Sequence, residues 1–199
     1  IDRDEFKTAT MAVNMAFEQH PYSEEIKLKK SQILIDKGEY IKALSFLNEI
    51  ENTNRGNFEF YILKASAYLN LGDVNKAKKI FNQSVSYSED SPDEIYYNIA
   101  LSFIGVSDFT NALEYLFKGL EDYRYSLPIL YEIAYCYERL DMPEKCIETY
   151  NDYLDIDPYA EMIWYRMGQT LENIVDLEGA IEDYEFAIAI EEEFSLAYL

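Results

Sequence analysis

The chain lacks any apolar run approaching the ~18 residues of a membrane-spanning helix, although 49% of its 199 residues are hydrophobic. Two cysteines, Cys136 and Cys146, are too few for a disulfide-stapled scaffold and read as buried free thiols that pack as small hydrophobes. The lone His20 has no second histidine or cysteine beside it, so no metal-ligand cluster is expected. The seven glycines are scattered at 38, 56, 72, 105, 119, 168 and 179, which leaves no phosphate-cradling loop or dinucleotide fingerprint. Positive charge is also scarce. Seventeen Lys and Arg against 38 Asp and Glu give a net charge of −21. Nucleic acid and anionic membranes both require clustered cations, so neither is an expected partner.

Carboxylate pairs such as Glu182/Asp183 and the run Glu191-Glu192-Glu193 are abundant. Acid–base catalysis needs an enclosed site that shifts one pKa, and short exposed helices do not supply one. The expectation is a protein that is not an enzyme, with no catalytic residue, metal or cofactor.

What the chain does have is tyrosine, 19 residues, and phenylalanine, 11 residues. Its charge is uneven. Residues 1–99 carry 12 basic against 16 acidic side chains, a net of −4, and residues 100–199 carry 5 against 22, a net of −17. The acidic half is either a solvated outer face or a surface that steers a basic segment.

Between Asp157 and Ala189, the residues Trp164, Met167, Gly168, Leu171, Ala180, Tyr184 and Ala187 recur at helical spacing behind Asp157-Pro158. Stepping back from Ala180 gives Cys146, Ala112, Ala77, Ala43 and Ala9, at intervals of 34, 34, 35, 34 and 34 residues. Twelve positions before each of the five later ones stands a small residue: Gly168, Ala134, Ala100, Ala65 and Ser31. Small residues facing each other let two helices approach near the short end of the usual ~8–10 Å range. This pattern resembles the tetratricopeptide repeat, with the small residues at positions 8 and 20 of each unit.

The resemblance covers essentially the whole chain and implies an all-α fold: a right-handed superhelical solenoid of antiparallel helix pairs. A single array over 1–199 would comprise a half repeat at 1–23, full repeats at 24–57, 58–92, 93–126, 127–160 and 161–194, and the start of a further repeat at 195–199. The chain opens in mid-helix and ends on a repeat's first residues, so the native protein is expected to continue in both directions. The repeat at 24–57 matches least, with Lys27 and Lys30 at positions 4 and 7, and a slightly rotated first helix carried by Ile26, Ile33 and Leu34 would accommodate them. A one-residue insertion is expected around Ser88–Pro92. Asp141-Met142-Pro143-Glu144 reads as a cap, a proline at the first helical position and a carboxylate at the start of a second helix.

In proteins of this family, positions 2, 5, 6, 9, 12 and 13 of each first helix face a concave groove that holds ligand peptides. Here these slots include Ile62, Leu63, Tyr97, Asn98, Leu101, Tyr131, Tyr135, Tyr165, Arg166 and Gln169. Three tyrosines, 97, 131 and 165, fall at position 5 with a spacing of 34. Tyrosine suits a binding surface because it gives large contact area at small entropic cost; sideways packing on the adjacent first helix is the alternative. The carboxylate clamp known in this family is absent, because only Asn98 occupies a suitable slot.

The resemblance therefore implies an interaction scaffold that binds another protein or peptide, with basic character suiting the acidic half. Self-association into a homo-oligomer is one alternative, and a regulatory or docking arm of a larger enzyme or sensor is another. A cytoplasmic location is the expectation.

Overall fold

The computed structural model describes residues 3–86 and 92–191. Among these, eleven helices and no strand form: α1 Arg3–Gln19, α2 Glu24–Asp36, α3 Tyr40–Glu49, α4 Phe58–Asn70, α5 Val74–Val85, α6 Pro92–Gly105, α7 Phe109–Asp122, α8 Leu127–Arg139, α9 Pro143–Leu154, α10 Glu161–Asn173 and α11 Leu177–Ile190. The expected insertion lies outside the described residues except that α6 opens at Pro92, and the expected start of a further repeat at 195–199 lies outside them entirely. The chain groups into two compact units, Ile1–Ser102 and Phe103–Leu199, whose boundary falls inside α6.

In the N-terminal unit, α2 packs on α3 and α4 on α5, and α4 also touches α2 and α3. The contact surfaces are made where the small residues stand. Ala65 and Ala77 are fully buried. Ser31 is likewise fully buried, and its hydroxyl donates to the Lys27 carbonyl at 2.8 Å and reaches the Ala43 carbonyl at 3.5 Å. Ser31 thus takes the buried place that Ala65 holds in the next repeat. Lys27 and Lys30 keep their register by laying apolar stems along the helix and placing their charges at its edge. The Lys27 ammonium meets Glu49 at 2.7 Å, and that of Lys30 sits 3.8 Å from the centre of the Phe17 ring. Ala9, at the position buried elsewhere, is exposed in α1, which has no first helix of its own among the described residues.

In the C-terminal unit, α8 packs on α9 and α10 on α11, with α7–α8 and α9–α10 contacts joining successive pairs. Ala134, Cys146, Tyr150, Leu154, Ile163 and Met167 form one core cluster. Cys146 donates from its Sγ to the Ala134 carbonyl at 3.4 Å, so the residue replacing alanine at position 20 bonds across the close contact. Both cysteines are free and buried, and burial pushes the Cys136 thiol up to about 12.

Each repeat joins its two helices by the same turn. Backbone N–H groups of Glu39, Asp73, Asp108, Met142 and Asp176 donate to the carbonyls of Leu34, Tyr68, Phe103, Tyr137 and Leu171, five residues back. This closure requires a left-handed residue just before the donor. Gly38 and Gly72 fill that place in the first unit, and Ser107, Asp141 and Val175 in the second. Asp141 is thus the left-handed turn residue and not the expected cap; Met142 occupies the cap position without a side-chain bond. Asp73, Asp108 and Asp176 do cap, accepting from the N–H three residues on.

Val175, at φ 67°, is the costly member of the set, because a β-branched side chain crowds the following carbonyl in this region. Its side chain is 77% exposed, so little packing is lost on replacement. Val175→Asn is expected to stabilise the C-terminal unit by about 1 kcal/mol, read as a higher urea midpoint; an unchanged or lower midpoint would show that the turn carries no strain.

Candidate functional site

The groove positions fall into two groups, one in each unit. In the N-terminal unit, α4 supplies Ile62 and Leu63 and α6 supplies Tyr97, Asn98 and Leu101. Ile62, Tyr97, Asn98 and Leu101 are half-buried. Leu63 is only 4% exposed and offers no contact surface. It lies on a helix that packs against α2, α3 and α5 at once, and an apolar side chain there is covered. The Asn98 amide donates to the Glu94 carbonyl one turn back at 2.8 Å, which occupies part of its capacity. Ser66 and Ser102 meet at 3.2 Å between their hydroxyls and tie α4 to α6.

The C-terminal group is more elaborate. Tyr131 and Tyr135 come from α8, and Tyr165, Arg166 and Gln169 from α10. The Arg166 guanidinium lies 5.7 Å from the centre of the Tyr131 ring, within the range of a cation–π contact. One of its terminal nitrogens stands 3.6 Å from Glu138, a loose ion pair. Its Nε is buried with no hydrogen-bond partner. Tyr135 meets Phe109 edge-on at 6.0 Å, and the Arg139 guanidinium covers the same Phe109 ring at 5.7 Å. Tyr165 packs on Tyr184 of α11 at 5.6 Å and accepts through its hydroxyl from Gln169 at 3.0 Å. Tyr184 in turn donates to Glu172 at 2.9 Å. Burial raises the Glu132 carboxyl, which shares the face of α8 with Tyr131 and Tyr135.

The tyrosines at position 5 of α8 and α10 are thus neither free nor core. Each is half-buried, with one ring face committed to a neighbour. Sequence reasoning missed Glu138 and Arg139, although both stand at groove positions 12 and 13 of their helix. It also missed Tyr184 as the support for Tyr165, since position 24 reads as core.

Among the described residues no group of three or more His, Cys, Asp or Glu could hold a metal ion, and no helix is long and apolar enough to cross a membrane. The tetratricopeptide-repeat profile matches residues 58–91 and 127–159, one full repeat in each unit. These two segments are tetratricopeptide repeats.

Similar proteins carry the same repeat or share the fold. The TPR repeat-containing protein MJ1428 of Methanocaldococcus jannaschii is 26% identical over 200 residues, covering 88% of this chain and 35% of that protein. The chain therefore spans about a third of the length of this relative. Among solved structures, YrrB, described as a TPR protein with an unusual peptide-binding site, superposes with a TM-score of 0.59 at 18% identity, over 94% of this chain and 96% of that one. A MamA structure gives a TM-score of 0.61 at 18% identity over 88% and 96%. MamA from Desulfovibrio magneticus RS-1 gives 0.59 at 19% identity over 86% and 96%. At these identities the likeness is one of fold. The tetratricopeptide repeats of this chain thus account for its helix pairs and their close contacts, and leave its ligands to be read from its own side chains.

Proposed function

We propose that this tetratricopeptide-repeat chain is a protein-interaction scaffold whose C-terminal unit holds a peptide or partner helix on the face of α8 and α10. One observation carries the reading: the partly exposed guanidinium of Arg166 from α10 lies 5.7 Å from the centre of the half-buried Tyr131 ring of α8. The Arg166 side chain is partly exposed and its ion pair with Glu138 is loose at 3.6 Å, so a carbonyl or carboxylate on a bound segment can accept from its outer N–H groups. The half-exposed tyrosine rings offer apolar contact beside it, and tyrosine and arginine are the side chains that carry binding energy at interfaces. The surrounding net charge of −17 over residues 100–199 favours basic flanks on the ligand.

The test is a peptide-phage selection on the full chain, followed by affinity measurement with a Tyr131→Ala/Tyr165→Ala variant. Selected peptides are expected to carry an apolar or aromatic core with Lys or Arg flanks and to lose roughly tenfold or more in affinity to the variant. Helicity by circular dichroism should change little. Peptides that bind the variant equally well would remove the face of α8 and α10 from the reading.

A further inference from the structure

A lysine-lined concavity of this acidic chain lies in the N-terminal unit. A cleft of about 690 Å³ in the N-terminal unit is bounded by α3 and the loop after it, by α4 and by α5. Three lysines line it: Lys64 from α4 and Lys76 and Lys79 from α5. Glu51 and Asp73 stand at the same cleft, so its local balance is three positive charges to two negative, in a chain whose net charge is −21. Asp73 is already engaged as the cap of α5. Tyr61 and Tyr68 form the aromatic wall, with the Lys76 ammonium 3.9 Å from the centre of the Tyr68 ring.

The repeats themselves supply a comparison. The position of Lys64 is taken by Ile99, Ile133 and Met167 in the three later repeats, all of them buried. The fold therefore accepts an apolar residue there, and a lysine whose side chain is 8% exposed is a costly substitute. The position of Lys79 is taken by Glu114, Glu148 and Glu182 in those same repeats. The preceding repeat has Lys30 at the first place but Ser45 at the second, so no other repeat combines lysines at both.

Glu51 shows what the cleft receives. Its carboxylate lies 2.8 Å from the Lys64 ammonium, yet its own side chain is 53% exposed. It sits in the loop between α3 and α4 and can turn into water. Lys79 makes no ion pair among the described residues and is exposed.

We infer that this cleft is a second binding site, for a carboxylate-bearing segment of an acidic peptide, whose acidic side chains replace Glu51 on Lys64 and engage Lys76 and Lys79. A singly charged carboxylate suits it better than a phosphate dianion, because Glu51 and Asp73 at the same cleft repel the second charge, and Asp73 already takes the Lys76 N–H at the start of α5. An aromatic or aliphatic stem beside the carboxylate packs on Tyr68. The site is distinct from the face of α8 and α10 and takes ligands of the opposite charge.

The test uses the full chain and a short, doubly capped Glu/Ala peptide containing one tyrosine, with a Lys/Ala peptide of equal length as control, at low ionic strength. Saturable binding of the acidic peptide alone is expected. Lys79→Glu should weaken it by roughly tenfold, and Lys42→Glu, the same charge change on an exposed lysine outside the cleft, by less than about twofold. Glu51→Gln should tighten binding about threefold, because it removes the internal competitor. None of the three changes touches a buried side chain, so folding is preserved and thermal melts confirm it. Equal losses for Lys79→Glu and Lys42→Glu, or weaker binding by Glu51→Gln, would overturn the assignment. Tighter binding of inorganic phosphate than of the peptide would overturn it too, in favour of a small anion.

Discussion

Gly168→Leu lowers the stability of the C-terminal unit by about 3 kcal/mol. A Cβ built on Gly168 would stand 2.7 and 2.8 Å from two ring carbons of Tyr184 and 3.2 Å from the Ala180 carbonyl oxygen. The ring is half-exposed and could swing away, but only by giving up its bond to Glu172 and its contact with Tyr165. The carbonyl belongs to the backbone of α11 and has no such freedom. A leucine therefore forces α10 and α11 apart along their whole contact. Gly168→Ala separates the two contributions. It places the Cβ that meets Tyr184 and the Ala180 carbonyl, and its gain in helix propensity, about 1 kcal/mol, offsets part of that cost, so it should be less destabilising than leucine but still destabilising. The chain's one tryptophan reports on this pair directly, because Trp164 of α10 stacks on Phe186 of α11 at 4.6 Å. Urea unfolding followed by Trp164 fluorescence should show the leucine variant losing structure first. A leucine variant with the wild-type midpoint would mean that the two helices do not approach at Gly168.

Asp183→Asn stabilises the chain at neutral pH and leaves it unchanged in acid. Asp183 lies on α11, is 7% exposed, and its Oδ2 has no hydrogen-bond partner. Burial pushes its carboxyl up to about 6 from the usual 3.8, and the negative charges of Glu182 and Asp176 push in the same direction. The folded state therefore holds the proton more tightly than the unfolded state does. The stability that comes with a protonated Asp183 is present below about pH 4 and is lost as pH rises through about 6. Roughly two pKa units correspond to about 3 kcal/mol once the group is ionised. Asparagine has nearly the same shape and cannot ionise, so the variant should exceed wild type by roughly 2 to 3 kcal/mol at pH 7.5 and by nothing at pH 4. A difference that stays constant across that range would exclude Asp183 as its source.

The repeat frame was legible in the sequence because it rests on local spacing. Small residues twelve positions apart within one repeat face each other wherever two helices are joined by the same short turn. Ala65 with Ala77, Ala134 with Cys146, and Gly168 with Ala180 all appear as expected. Ser31 shows how robust the signal is: it holds its register although Lys27 and Lys30 break the apolar pattern around it. The turns were only half legible. Gly38 and Gly72 announce their left-handed conformation, but Asp141 reads equally well as a cap, and nothing local to Val175 suggests that the chain forces it into that region.

The candidate site was less legible, for a physical reason that recurs in each miss. Helical spacing gives the face on which a side chain starts, and not how much of that face the neighbouring repeat covers. Leu63 occupies a groove position and is buried. Tyr131 and Tyr165 occupy the same position in successive repeats, yet one lies under Arg166 and the other against Tyr184. The N-terminal cleft gave its signal only as three lysines divided between α4 and α5. The sequence by itself determined the helices among the described residues and the pairs α2–α3, α4–α5, α8–α9 and α10–α11, because these depend on residues within one repeat. Only the tertiary structure decided which charges are paired, which carboxylate is buried without a partner and which lysines converge on one cleft. Those outcomes are set by desolvation and by side chains that neighbouring helices bring together, which spacing along a single helix does not place.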